Sequence, residues 1–241
     1  MDKPTIDFYD KFAEVQSDLY ETADMSVMHR RLATIVPPCG RILEIGCGSG
    51  RDARVLAGMG FSVIATDASS GMIREAERRT EVNRDNLSFT CLSFPLSEGH
   101  LLLNERFDCV LAVAVLMHLL PEERVQTLGQ VQRMLKPNGL FYCTLKNRQS
   151  TDARLYQEIK ASDFKSECLR CGLLNLLEWS DSDVLGRGTC WETMLFTNGA
   201  NNDCHSLREN LFNLIRGSGD RWFNNMFHIN IKADISVSDH F

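Results

Sequence analysis

A glycine-rich segment between a short apolar strand and a helix constrains the fold of this chain more than any other feature. Residues 41–45 form a β-rich run, and three glycines follow at Gly46, Gly48 and Gly50 before helix-forming residues begin at Arg51. Glycine permits a tight turn and lets a ligand approach the backbone where a Cβ would otherwise stand. The segment therefore predicts a ligand-binding turn between a strand and the following helix.

Strand and helix patterns alternate along the rest of the chain. Strands are predicted at 41–45, 61–66, 87–91, 107–113 and 140–145, separated by helices at 51–59, 70–79 and 122–135. Two further strands, 173–179 and 189–196, are joined by a short polar connection, which favours an antiparallel pair. The pattern predicts an α/β fold with a seven-stranded, mostly parallel sheet, helices on both faces and an antiparallel last strand.

Composition excludes several classes of function. The formal charge of −6 and the pI near 5.5 argue against a surface built to neutralise phosphates, so we expect no DNA partner. The longest apolar run, 109–117, is shorter than the roughly 20 residues of a membrane span, so we expect no membrane partner. Nine scattered cysteines are typical of reduced cytoplasmic thiols. No spacing among them predicts a metal site.

Three regions are expected from these patterns. Residues 1–40 are a helical segment, with helices at 5–22 and 26–36, and residues 41–197 hold the alternating strands and helices. Residues 198–241 form a helix-strand extension whose apolar side chains must be buried. Three surfaces could cover them: the chain's own domain, a second copy of the chain or the mouth of the site. A monomer and a homodimer both remain open.

Two carboxylates complete the pattern around the glycine-rich turn. Glu44 stands two residues before Gly46, and Asp67 ends the second strand 21 residues after it. A carboxylate in the position of Asp67 can accept hydrogen bonds from both ribose hydroxyls of a nucleoside. With 135–139 before the fifth strand, the pattern resembles the class I S-adenosylmethionine-dependent methyltransferases. A dinucleotide-binding dehydrogenase would need a third glycine at position 51, which is arginine.

The turn sequence G-C-G-S-G-R-D at 46–52 is similar to that of small bacterial members of this family. The resemblance implies a Rossmann-like fold with S-adenosyl-L-methionine as the cofactor. It implies that Gly46, Cys47 and Gly48 line the methionine and ribose portions, that Asp67 binds the ribose and that Met72 packs on the adenine. The remaining cofactor positions that it implies are Glu44, Gly50, Ala68, Leu92, Ser93, Ala112 and Val113.

Acceptor-binding residues are expected where the strands end at their carboxyl edge. His118 follows the fourth strand, and an imidazole can take a proton at neutral pH, so it is the candidate catalytic base. A structural role beside Pro121 is the alternative for His118. Asp52 is expected to cap the helix after the turn. The candidate substrate-binding residues are Tyr9 and Tyr20 from the N-terminal segment, with Lys146, Arg148 and Arg187 for an acidic acceptor.

The segment after the fourth strand also bears on the acceptor. Residues 119–122 do not form the [DNS]-P-P-[FYW] tetrapeptide associated with methylation of exocyclic base nitrogens. The sequence therefore favours methyl transfer to a small molecule. Two alternatives stay open: a protein or RNA acceptor, and a non-catalytic module that binds S-adenosylmethionine or S-adenosylhomocysteine.

Overall fold

A twisted sheet forms the centre of the computed structural model, which describes residues 1–80, 85–146, 154–182 and 190–198 together with Glu209 and Leu211. Within these residues the sheet has seven strands in the order β3-β2-β1-β4-β5-β7-β6. Strands β1 to β5 pair in parallel, and β7 is antiparallel to both β5 and β6. The predicted fold class is confirmed. The strands are β1 Arg41–Ile45, β2 Ser62–Asp67, β3 Leu87–Cys91, β4 Phe107–Val113, β5 Leu135–Lys146, β6 Leu173–Ser182 and β7 Cys190–Asn198.

Helices cover both faces of this sheet because successive residues of its central strands point to opposite sides. Val110 packs in a core with Leu128 and Phe164, whereas its neighbour Leu111 packs in a second core with Leu32 and Leu56. The helices are α1 Lys3–Lys11, α2 Ala13–Glu21, α3 Ser26–Ile35, α4 Arg51–Gly58, α5 Ser70–Arg78, α6 Pro121–Met134 and α7 Ala161–Arg170, with short 3₁₀ turns at Leu101–Asn104 and Leu116–His118.

One predicted helix was wrong in its extent. The helix predicted at 5–22 is broken at Phe12, whose backbone is non-helical (φ −112°, ψ 21°), and the break lets both α1 and α2 contact α5. Within β5, Asn138 has a φ of 62°, and the pairing with β4 changes register between Phe107 and Cys109.

The C-terminal extension is described at only two positions. Leu211 is buried and packs in the same core as Leu176 and Leu195. Its contacts are those of a segment docked on the chain's own domain, but the remainder of the predicted helix-strand extension lies outside the described residues. Among the described helices, none combines the length and apolar character that crossing a bilayer requires.

Candidate active site

The glycine-rich turn is fixed to the carboxyl end of β2. The backbone N–H groups of Gly46 and Cys47 donate to the carbonyl of Thr66 at 2.8 and 2.9 Å. All three glycines have positive φ, between 55° and 74°. A Cβ on Gly46 would stand 2.6 Å from a methyl of Val115, so packing as well as backbone conformation requires glycine there.

Asp67 holds the turn from the other side. Its Oδ2 accepts a hydrogen bond from the Gly48 N–H at 2.9 Å, and its Oδ1 accepts one from the Ser69 N–H at 2.9 Å. Burial raises the pKa of Asp67, although both backbone hydrogen bonds oppose that shift. Each carboxylate oxygen has a second lone pair, so the group can still accept hydrogen bonds from a ligand.

Glu44 contributes a second carboxylate, buried at the end of β1. It is 2% exposed, and its Oε2 has no hydrogen-bond partner in the described structure. Burial and the nearby charge of Asp52 raise the pKa of Glu44 well above its usual range. Because buried polar atoms are nearly always satisfied, this oxygen fits a donor group on a ligand, such as the ammonium of an amino-acid moiety.

A cavity of about 610 Å³ lies above the turn. Its volume falls within the range of small-molecule and cofactor sites. Both carboxylates and the Gly48 backbone line it, so the described residues fit an S-adenosylmethionine molecule. Thirteen of the predicted site residues line the cavity: Tyr9, Tyr20, Glu44, Gly46, Cys47, Gly48, Asp67, Ala68, Met72, Leu92, Val113, His118 and Lys146.

Three predicted cofactor residues do not line the cavity. A Cβ on Gly50 would stand 2.7 Å from the ring of Phe89, so this glycine serves packing under β3. Ser93 has an exposed side chain, and Ala112 is fully buried in the sheet core. Arg148 and Arg187 lie outside the described residues.

His118 lies at the cavity wall with both ring nitrogens in hydrogen bonds. Its Nδ1 is 2.7 Å from the carbonyl of Leu155, which can only accept, so Nδ1 carries the proton. Nε2 of the neutral ring is then an acceptor for the Tyr9 hydroxyl, 3.2 Å away. Arg154 in turn donates to the Tyr9 oxygen at 3.1 Å. The ring is therefore held by residues 154–155 and the N-terminal helix.

Aromatic rings surround the cations on this side of the cavity. The Arg154 guanidinium lies 4.6 Å from the ring centroid of Phe8 and 5.4 Å from that of Tyr156. The ammonium of Lys146 lies 5.9 Å from the Tyr156 ring and 5.7 Å from the Trp191 ring. Sequence reasoning missed Arg154 and Tyr156, which follow β5 in an irregular segment. The one general rule that could have predicted them is that the loops after parallel strands meet at the carboxyl edge of the sheet.

Polar contacts hold the N-terminal helices over the cavity. Asp10 of α1 accepts hydrogen bonds from the Ser69 hydroxyl and the Gly71 N–H, both at 2.7 Å. At the end of α2, the carbonyl of Tyr20 accepts from Arg51 at 2.6 Å, and Glu21 pairs with a guanidinium of α4 at 2.6 Å. The first two helices are thus attached to the glycine-rich turn, to α4 and to the start of α5.

The sequence predicted that Asp52 caps α4, but it does not. The capping position is Gly50, and Asp52 lies in the first turn, where it pairs with His29 at 2.8 Å and with Arg51 at 2.8 Å. Burial alone would raise the pKa of Asp52, but hydrogen bonds from His29 and Arg51 outweigh it and lower the pKa to about 2. Asp52 therefore joins α3 to the turn.

Known proteins match this chain in its central region and in its fold. Residues 42–139 match the model of a family described as methyltransferase domain. A ubiquinone biosynthesis O-methyltransferase of Dinoroseobacter shibae is 31% identical over 108 residues, which are 45% of this chain and 42% of that protein. A glycine N-methyltransferase of Mus musculus is 29% identical over 120 residues, 45% of this chain and 41% of that protein.

The chain matches less than half of the length of these relatives. A larger share of this chain is covered by a solved structure, that of 1,6-didemethyltoxoflavin-N1-methyltransferase of Burkholderia thailandensis with 1,6-didemethyltoxoflavin and S-adenosylhomocysteine bound. It superposes with a TM-score of 0.63 at 17% identity, over 81% of this chain and 87% of that one. Residues 42–139 of this chain are therefore similar to a methyltransferase domain, and the chain has the fold of the solved methyltransferase on which it superposes.

Proposed function

We propose that the chain transfers the methyl group of S-adenosyl-L-methionine to a small-molecule acceptor. The observation that carries this proposal is the Asp67 carboxylate, fixed by the Gly48 and Ser69 N–H groups at the wall of a cavity that also holds His118. A nucleoside-binding edge and a candidate proton acceptor therefore share one enclosed space.

The bound cofactor supplies an electrophilic methyl group on a sulfonium, and the protein supplies alignment and exclusion of water. In this proposal Asp67 accepts from the ribose hydroxyls, Glu44 accepts from the ammonium group and Met72 packs on the adenine. Residues 1–40 act as a lid, because α1 and α2 lie over the cavity and are attached through Asp10 and Tyr20.

The dimensions and lining of the cavity support a small acceptor. The volume of about 610 Å³ lies within the range of small-molecule sites, and the walls carry the aromatic residues Tyr142, Tyr156 and Trp191. Two relatives of this chain are named for methyl transfer in ubiquinone biosynthesis and to glycine. In the proposed organisation, residues 41–197 carry the reaction and 198–241 are an extension docked through Leu211.

Calorimetry with S-adenosylhomocysteine tests the cofactor assignment. We expect one binding site in the wild-type chain and loss of that binding in Gly48→Val, because the new side chain enters the cavity beside Tyr20. Gly99→Val is the matched control, since Gly99 also has positive φ but no neighbour within 4 Å of an added Cβ. Equal affinity in both variants would contradict the assignment.

Turnover is tested separately with the cofactor and a metabolite extract. We expect S-adenosylhomocysteine to accumulate in the presence of extract and a methylated small molecule to appear by mass spectrometry. Cofactor binding without any accumulation would support the non-catalytic binding module instead. Accumulation that depends on the macromolecular fraction would support a protein or RNA acceptor.

A further inference from the structure

The tyrosines of this chain have an unusual distribution. The sequence contains four, at positions 9, 20, 142 and 156, and all four line the cavity. A phenol is a weak acid that can also carry a hydrogen bond in each direction. The Tyr9 hydroxyl contacts both a histidine nitrogen and a guanidinium.

We infer that Tyr9 and His118 form a proton relay, in which Tyr9 takes the proton of a hydroxyl acceptor and passes its own proton to His118. This inference rests on the proposed function and narrows the acceptor to molecules with a weakly acidic O–H group. Tyr9 is then a catalytic residue, and His118 is the base that acts through it.

Hydrogen-bond directions in the site support this order of transfer. The Leu155 carbonyl fixes the proton of His118 on Nδ1, which leaves the Nε2 lone pair facing the Tyr9 hydroxyl. The Tyr9 proton therefore already points along the path of transfer. Arg154 donates to the same oxygen at 3.1 Å, and its positive charge stabilises the negative charge that develops on the phenol.

The Tyr9 hydroxyl also contacts a second tyrosine. Its O–H bond is directed at His118 and its oxygen accepts from Arg154, while burial and a hydrogen bond with Tyr9 raise the pKa of Tyr20. Both tyrosines line the cavity, so in the relay the hydroxyl group of the methyl acceptor takes the place of the Tyr20 hydroxyl at the Tyr9 oxygen. His118 also lines the cavity, but it is 2% exposed and its Nε2 lone pair faces the Tyr9 hydroxyl, so a proton reaches His118 through Tyr9.

The proposed step balances in atoms and charge. The acceptor O–H bond breaks, its proton forms a bond to the Tyr9 oxygen, and the former Tyr9 proton forms a bond to Nε2 of His118. The acceptor oxygen uses the freed electron pair to bond the methyl carbon, and the electron pair of the carbon–sulfur bond remains on sulfur. The site ends with an imidazolium at His118, which returns its proton to solvent.

Nuclear magnetic resonance of protein labelled with 15N-histidine tests the geometry without any turnover. At about pH 8, with S-adenosylhomocysteine added, we expect the His118 signals of a neutral ring with its proton on Nδ1. In Tyr9→Phe the 15N chemical shift of His118 Nε2 should move toward the value of an unprotonated ring nitrogen that accepts no hydrogen bond. His118→Gln identifies the signals among those of six histidines.

His100 provides an internal reference for the opposite tautomer. Its Nδ1 accepts from the Leu102 N–H at 3.2 Å, so its proton belongs on Nε2. If His118 shows the His100 pattern, its Nε2–H donates to Tyr9 and the relay is overturned. An Nε2 signal that does not respond to Tyr9→Phe would overturn it as well.

Kinetics with two acceptor probes separate a relay from a structural role. Substituted phenols retain their proton near neutral pH, whereas thiophenols are largely ionised and need no base. We expect Tyr9→Phe and His118→Gln each to lower kcat on phenols by about 10²–10⁴-fold and on thiophenols by less than about threefold. The double variant should lose no more than either single one.

Several outcomes would overturn the relay. Equal losses on phenols and thiophenols would assign Tyr9 and His118 to positioning, and a wild-type chain that methylates thiophenols but no phenol would exclude a hydroxyl acceptor. These results differ from failure of the proposed function, which would appear as absence of S-adenosylhomocysteine binding by calorimetry. The tautomer of His118 is measured independently of that outcome.

Discussion

The two sides of the cavity are built differently. The side proposed to bind the cofactor is built from neighbouring segments: the backbone of the turn is hydrogen-bonded to the carbonyl of Thr66 and the side chain of Asp67, both in the adjacent strand. The side proposed to bind the acceptor is built from side chains of distant segments, since Tyr9 meets His118 across 109 residues and Arg154 across 145. We expect the first side to be rigid and sensitive to sterics, and the second to move with the N-terminal helices.

The largest effect should come from Gly46→Ala on the cofactor side. The new Cβ would lie 2.6 Å from a methyl of Val115, at a backbone φ of +74°. Strain of about 1–3 kcal/mol and overpacking of about 1–3 kcal/mol should together lower the free energy of unfolding, measured in urea, by roughly 2–6 kcal/mol.

Gly60→Ala is the matched control for that measurement. Gly60 also has positive φ, at +96°, but an added Cβ would meet nothing within 4 Å. This variant should incur only the backbone strain, so its loss of stability should be smaller. Equal losses would mean that Val115 moves aside without cost and that the cofactor side is less rigid than its hydrogen bonds indicate.

Asp67→Asn should have the next largest effect. The two carboxylate oxygens accept from Gly48 and Ser69, and an amide must turn its NH₂ group toward one of those N–H donors. We expect the affinity for S-adenosylhomocysteine to fall by about 1–3 kcal/mol, or roughly 5–150-fold, by calorimetry. Asp108→Asn, on the opposite edge of the sheet in an ion pair with Lys136, should leave that affinity unchanged.

A smaller effect is expected where the N-terminal helices attach to the sheet. Asp10 accepts two hydrogen bonds of 2.7 Å, from Ser69 and Gly71, at the start of α5. Asp10→Ala should accelerate dissociation of S-adenosylhomocysteine by about 5–30-fold in stopped flow, equivalent to about 1–2 kcal/mol. Asp7→Ala on the same helix removes only an exposed pair with Lys3 and should change the rate less than twofold.

The pH dependence of the same contact gives a second measurement. Burial works to raise the pKa of Asp10, but the hydrogen bonds from Ser69, Gly71 and Ser70 outweigh it and lower the pKa below 3.8. A lowered carboxylate pKa means that this attachment is fully present above about pH 4 and is lost as the pH falls through the folded-state value. If the wild-type chain and Asp10→Ala differed in how their rate of S-adenosylhomocysteine dissociation changes between about pH 6 and 8, the lowered pKa of Asp10 would be contradicted.

The comparison also explains what the sequence could predict. The turn, Glu44 and Asp67 lie within 24 consecutive residues, so the residue types and their spacing predicted this part of the site without any knowledge of the packing. His118 was predicted from its position after β4 and Tyr9 from the N-terminal segment, but the contact between them and the contact of Tyr9 with Arg154 were not. Their meeting depends on how α1 and the segment after β5 pack on the sheet, and no local pattern encodes that contact.

The smallest effect should come from Asp18→Asn on α2. Asp18 pairs with Arg79 of the neighbouring segment at 2.6 Å, but its side chain is 68% exposed, so solvent screens the pair. Arg79 also keeps its contact with Glu75 at 3.2 Å after the substitution. We therefore expect the dissociation rate of S-adenosylhomocysteine in stopped flow to change by less than about twofold, as in Asp7→Ala. A change as large as that of Asp10→Ala would show that the helices are held by their summed surface charge.

In that case high salt should accelerate dissociation in the wild-type chain as well, whereas attachment through the buried partners of Asp10 predicts little salt dependence.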